Sequence, residues 1–241
     1  MDPETIERLL ALNRAFYAAF ARSFADSRSV ADPALTAILP YIPSRARVLD
    51  VGCGNGRLAL LLDRERPGAT YIGIDAVPEL VEGARTQTAA VQNIALQFHV
   101  VDIAQPHWSL FIGSLSIDTV VCLAVLHHLP GFDLRARVLR EMVGLLASGG
   151  RVILSTWQFL DSPRLRCKIV DWSEVGIASE ALEPGDYLLD WRRGGRGLRY
   201  VHLVDEAEVE RLAAASRLRV CETFRAGGRE GNLSLVAVLG R

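Results

Sequence analysis

Residues 48–57, VLDVGCGNGR, set three glycines at alternating positions behind a short apolar run. Gly52, Gly54 and Gly56 suit a strand-to-helix turn whose backbone N–H groups approach a ligand closely, as adenosine-containing cofactors require. The dinucleotide spacing G-x-G-x-x-G fails, because Arg57 stands where its third glycine would be. Asp50 lies just before the turn, where it would face a bound phosphate unfavourably, whereas an ammonium would suit it. Asp75 ends YIGID (71–75), placed for both hydroxyls of a ribose, and Asp102 ends HVVD (99–102), placed for an adenine amine. One acid at each of the first three strand ends matches an amino acid joined to ribose and adenine.

Other reactive side chains carry two readings each. His127 and His128 follow an apolar run in AVLHHLP. Histidine titrates near neutrality, so a catalytic base is one role and a packed ring lining the pocket the other. His127 is the candidate for the substrate side, His128 for the pocket wall, and His202 in RYVHLV shares the ambiguity. Trp157, Trp172 and Trp191 are packing, or an aromatic face over a cation or a substrate ring. The loop WRRGGRGLR (191–199), with Arg192, Arg193, Arg196 and Arg199, is a solvated turn or a nucleic-acid contact. Cys53 is a small residue in a tight loop, since no partner base is evident.

Alternating elements position these residues. Apolar spacing predicts helices over 4–25, 33–41, 57–65, 78–91, 134–147 and 206–216. Strands are expected at 46–51, 69–75, 95–102, 117–126 and 151–156, then 217–224 and 233–240 joined by a turn. The alternation implies right-handed crossovers and an α/β sheet, mostly parallel, with an antiparallel C-terminal hairpin. One domain over 1–241 is expected, with N-terminal helices in 1–44. Residues 157–204 lack steady periodicity and are expected as a lid or insertion over the strand ends.

With 50% hydrophobic and 23% charged residues, the 241-residue chain can bury a substantial core. Its formal net charge of -1 gives no global pull toward nucleic acid, leaving only a local basic patch for that purpose. The four cysteines are far apart and form no C-x-x-C pair, which argues against a zinc knuckle or disulfide framework, and no metal site is expected. No signal-peptide core and no apolar run of roughly 18 residues is present, so a soluble, cytoplasmic protein away from membranes is expected.

The ordered motifs VLDVGCGNGR, GID (73–75), VVD (100–102), IDTVVCLAVLHHL (117–129) and LLASGGRVILS (145–155) resemble the class I S-adenosylmethionine-dependent methyltransferases. The resemblance covers about residues 14 to 156 and again 200 to 240. It implies a Rossmann-like sheet of seven strands with helices on both faces. It also implies S-adenosyl-L-methionine as methyl donor and S-adenosylhomocysteine as product. The cofactor would be held by Asp50, Gly52, Cys53, Gly54, Asn55, Gly56, Asp75, Ala76, Asp102, Ile103, Leu123, Ala124 and His128.

A narrower resemblance is to the tRNA wobble-uridine carboxymethyl methyltransferases. It rests on FYAAFARSFADSR (16–28), CLAVLHHL, Trp157, PGDYLLDWRRGG (184–195) and RYVHLVDEAEVERL (199–212). It places Tyr17 and Arg28 near the methionine end of the cofactor. The implied reaction esterifies the carboxylate of a carboxymethyluridine in tRNA, with Arg192 or Arg193 orienting the carboxylate and His127 and His202 as further catalytic candidates. Eukaryotic members work with a small zinc-binding activator protein. The chain departs from the family at Tyr200-Val201-His202 and at Gly231-Asn232-Leu233, so a small-molecule O- or C-methyltransferase acting on a quinone, an acid or a natural product is the alternative.

Overall fold

The strand RVLDV, β1 (Arg47–Val51), buries every residue after its first, the pattern of a strand covered on both faces. The computed structural model describes residues 1–25, 32–113, 115–228 and 230–241. Ahead of β1 lie α1 (Pro3–Ala25) and α2 (Pro33–Ile38), the latter capped by the Asp32 carboxylate. Then come α3 (Arg57–Glu65), β2 (Thr70–Asp75), α4 (Pro78–Gln87), β3 (Ala95–Val100), β4 (Ile117–Leu123), α5 (Phe132–Gly144) and β5 (Leu146–Trp157). The chain continues through α6 (Pro163–Arg166), β6 (Ile169–Val170), β7 (Asp186–Trp191), β8 (Gly197–His202), α7 (Glu206–Ala215), β9 (Arg219–Ala226) and β10 (Ser234–Gly240).

Seven strands form the main sheet in the order β3-β2-β1-β4-β5-β10-β9. All pair in parallel except β10, which runs antiparallel to both neighbours. Strand order reverses between β1 and β4, so a crevice opens beyond their carboxyl ends, where such sheets bind ligands. One apolar layer packs α5 and α7 on one face, and a second packs α2, α3 and α4 on the other. This is the Rossmann-like sheet expected. Among the described residues no helix is long and apolar enough to cross a membrane.

Several boundaries move for physical reasons. The helix expected to 147 stops at Gly144, because Leu146 pairs with Ile117 and draws the next residues into β5. The helix expected to 91 ends at Gln87, where the Thr88 hydroxyl donates to the Ala84 carbonyl. Asp102 stands two residues beyond the end of β3 rather than at it. Residues 157–204 hold more order than their sequence pattern suggests. β6, β7 and β8 make a three-stranded antiparallel sheet. Its strand β8 is clasped by α1: Asn13 Nδ2 donates to the Tyr200 carbonyl at 3.1 Å, and Tyr200 N–H donates to Asn13 Oδ1 at 2.9 Å.

Candidate active site

The glycine turn divides its labour. Gly52, Gly54 and Gly56 have φ of +73°, +55° and +78°. A Cβ on Gly52 would meet Val125 Cγ2 at 2.2 Å, and one on Gly56 would meet Ala84 and Phe98 at 3.1 Å. These two glycines allow close packing. A Cβ on Gly54 would meet nothing within 4 Å, because that residue faces the open cleft.

Three carboxylates stand around this turn. Asp50 is buried at the end of β1 and accepts from the Tyr71 hydroxyl at 2.6 Å. Burial pushes its acid up to about 7, Asp75 adds to the rise, and the Tyr71 hydrogen bond and Arg57 oppose it. Asp75 accepts from Gly54 N–H at 2.9 Å and Val77 N–H at 3.0 Å, which ties the turn to the start of α4. Burial raises its acid too, against those hydrogen bonds. Asp102 accepts from Ala104 N–H at 2.9 Å and lies 3.6 Å from the Arg14 guanidinium.

The same cleft is lined by Tyr17, Cys53, Asn55, Ala76, Ile103, Leu123, Ala124 and His128. Gly56 is corrected: it sits behind the turn as the N-cap of α3, off the cleft wall. Ser27 and Arg28 lie outside the described residues. Burial raises the Cys53 thiol well above its ordinary range, with Asp50 and Asp75 adding to the effect, so it is no thiolate nucleophile. Leu10 and Arg14 of α1 also reach the cleft and were missed. With Tyr17 they repeat at helical spacing, the signal that marks that face of α1.

A second cavity of about 830 Å³ adjoins the cleft, the two sharing Leu35, Arg57, Leu123 and Ala124. Trp157 and Trp191 wall it, and Arg164, Lys168, Arg192, Arg193 and Arg199 add positive charge to that of Arg57. Trp172 lies elsewhere, 6.4 Å from the Tyr200 ring. Arg192 is mostly exposed and paired with Asp190, and Arg196 pairs with Glu174 and Asp190, so acids of the fold already answer part of the basic loop. Arg199 differs from both. It is 5% exposed, and its carbon Cζ lies 4.6 Å from the Trp157 ring, 5.3 Å from Phe16 and 5.5 Å from Trp191. Sequence reasoning left it among four loop arginines. The missed signal was its place in a strand, where parity turns it inward.

Two histidine expectations need correction. His127 is fully buried and lines neither cavity, because the turn at Leu126–His128 points its ring inward, 4.9 Å from the Trp157 ring. His202 lies on the far face of β8, where Nδ1 donates to Asp186 at 2.6 Å and Nε2 to Glu208 at 2.8 Å. Arg135 completes that buried group, 2.8 Å from both Glu183 and Glu208. Burial disfavours the imidazolium, but the two carboxylates outweigh it and raise its pKa. His202 joins elements and touches neither cavity. His128 stays at the cleft wall, with Nε2 2.7 Å from the Tyr17 hydroxyl.

A family model for the methyltransferase domain matches residues 21–221. The chain belongs to that methyltransferase family. Its fold matches a solved S-adenosylmethionine-dependent methyltransferase from Methanosarcina mazei at a TM-score of 0.66 and 22% identity, covering 85% of this chain and 96% of that one. Among curated relatives, a ubiquinone biosynthesis O-methyltransferase of Xanthomonas euvesicatoria is 38% identical over 127 residues, 49% of this methyltransferase and 48% of the relative. A tRNA (carboxymethyluridine(34)-5-O)-methyltransferase of Arabidopsis thaliana is 29% identical over 141 residues, 58% of this chain and 31% of the relative. The methyltransferase thus spans about half the length of the ubiquinone relative and less of the plant protein.

Proposed function

We propose that this methyltransferase takes its methyl group from S-adenosylmethionine and transfers it to a carboxylate, the leading acceptor being a carboxymethyluridine in tRNA. The cleft suits the donor. Asp50 takes the ammonium, Asp75 the ribose hydroxyls and Asp102 the adenine amine, while the missing Cβ of Gly54 leaves room for close approach. When bound, the donor supplies an activated methyl on a sulfonium, so the protein chiefly aligns the nucleophile and excludes water.

The observation that carries the acceptor class is the second cavity. Among its described lining residues there is no histidine and only one carboxylate, Asp32. That acid is engaged by Ala34 N–H at 3.0 Å and Arg57 at 3.3 Å. A hydroxyl nucleophile would find no free base there, whereas a carboxylate arrives already ionised. The similarity to the plant tRNA enzyme agrees with this reading. The ubiquinone relative supports the second one, a small-molecule O-methyltransferase. A cytoplasmic location and a small zinc-binding activator belong to the tRNA reading, and co-purification of such a subunit tests the latter.

Tritiated methyl transfer into fractionated cellular pools tests both. The tRNA reading expects label in tRNA that mild alkali releases, as from an ester. Alkali-stable label confined to small molecules would replace it with the second reading.

A further inference from the structure

Arg199 is a buried cation with no ion-pair partner among the described residues. Its Nε and Nη1 are buried and have no hydrogen-bond partner among the described residues, although a guanidinium carries five donors. The faces of Phe16, Trp157 and Trp191 offset part of the desolvation cost, but they accept no N–H hydrogen bond of ordinary strength. Of the other charged residues described in the cavity wall, Arg57, Arg164, Lys168, Arg192 and Arg193 share its sign, and the one acid, Asp32, is paired with Arg57. Structural arginines in this fold look different: Arg135, equally buried, meets two carboxylates at 2.8 Å. The strand explains why Arg199 has no such answer. On β8, Tyr200 and His202 face Asp186, while Arg199 and Val201 face the end of β5 and the cavity.

We propose that Arg199 is the acceptor-reading residue of this methyltransferase, binding the carboxylate that is to be methylated and rejecting neutral analogues. The inference rests on the carboxylate reading above and names the residue responsible. A guanidinium donating to one carboxylate oxygen leaves the other with lone pairs for attack. The bond that forms joins that oxygen to the methyl carbon. The bond that breaks joins the methyl carbon to sulfur, the electron pair stays on sulfur, and no proton moves. The carboxylate becomes a neutral ester and loses its attraction for Arg199, which favours product release. The aromatic cage holds the guanidinium plane and keeps the ion pair dry.

Equilibrium binding in the presence of S-adenosylhomocysteine tests this without turnover. The probes are an anticodon stem-loop carrying 5-carboxymethyluridine, the same stem-loop with the isosteric carboxamide, and phenylacetate as a carboxylate free of RNA. The parent is expected to bind the carboxylate stem-loop at least tenfold more tightly than the carboxamide. Arg199→Met should erase that ratio, and Arg199→Lys should keep part of it, with S-adenosylhomocysteine affinity within twofold of the parent in both. Equal binding of acid and amide by the parent, a ratio that survives in Arg199→Met, or no binding of any probe overturns the proposal. If Arg199→Met fails to fold, the parent ratio and Arg199→Lys decide it. If only phenylacetate binds, and Arg199→Met abolishes that binding, the role of Arg199 stands and the tRNA reading falls.

Discussion

Asp50 meets two opposed demands. Burial favours its neutral form and lifts its acid to about 7, yet it can hold an ammonium only as a carboxylate. In the free protein it is neutral below that pH and ionised above. Affinity for S-adenosylhomocysteine should therefore fall as pH drops from 8 to 6, by up to about tenfold per unit below the midpoint. Calorimetric titration across that range checks it. Asp50→Asn should flatten the profile and weaken binding at pH 8, while raising the free protein's Tm there by about 2–4 °C for each kcal/mol gained by removing a buried charge. At this scale the sequence was informative wherever residue type and strand end coincide, as with Asp50 and Asp75. It was silent about which way a side chain points. His127, His202 and Arg199 have the same chemistry wherever they lie, and only the turn or strand parity sends them to different places.

The glycine turn separates two kinds of necessity that look identical in GCGNG. Gly52→Ala places a Cβ 2.2 Å from Val125 at φ +73°, so both stability and cofactor binding should fail, at a cost of about 3 kcal/mol or more. Gly54→Ala pays only its left-handed backbone, about 1 kcal/mol, because its Cβ enters open space. The expected outcome is a modest loss of urea stability in Gly54→Ala with at least a tenfold loss of S-adenosylhomocysteine affinity. Equal damage to both properties in the two variants would contradict that division. Elements of the main sheet were legible because buried parallel strands and amphipathic helices alternate with clear periods. The second sheet was not legible: β6 has two residues, and β8 buries both faces, one against the polar group around Asp186 and one against the wall of β5.

The buried group of Arg135, Glu183, Asp186, His202 and Glu208 ties α5, α7 and the second sheet together. His202 has a raised pKa, so its contribution is complete below the ordinary value of 6.5 and is lost as pH climbs through the raised one. Glu208 has a lowered acid, against its burial and because of His202 and Arg135. Its contribution is complete above the ordinary 4.5 and lost as pH falls through the lowered value. The stability gap between the parent and His202→Gln should therefore be widest between about pH 4.5 and 6.5 and shrink toward alkaline pH. Urea midpoints of both proteins over that range measure it, and a gap that widens with pH would remove His202 from this role.

Asn13 also sets an order in time. Its partner Tyr200 lies 187 residues further along the chain, so α1 leaves the ribosome long before β8 exists to receive it. Until then its apolar face has no seat, and contacts so distant in sequence form slowly. Helix α1 is therefore expected to dock late, and its docking closes both cavities together, since Arg14 and Tyr17 reach one and Phe16 braces the arginine of the other. Asn13→Ala should appear chiefly as slowed recovery of ligand binding after refolding, with the main sheet already formed.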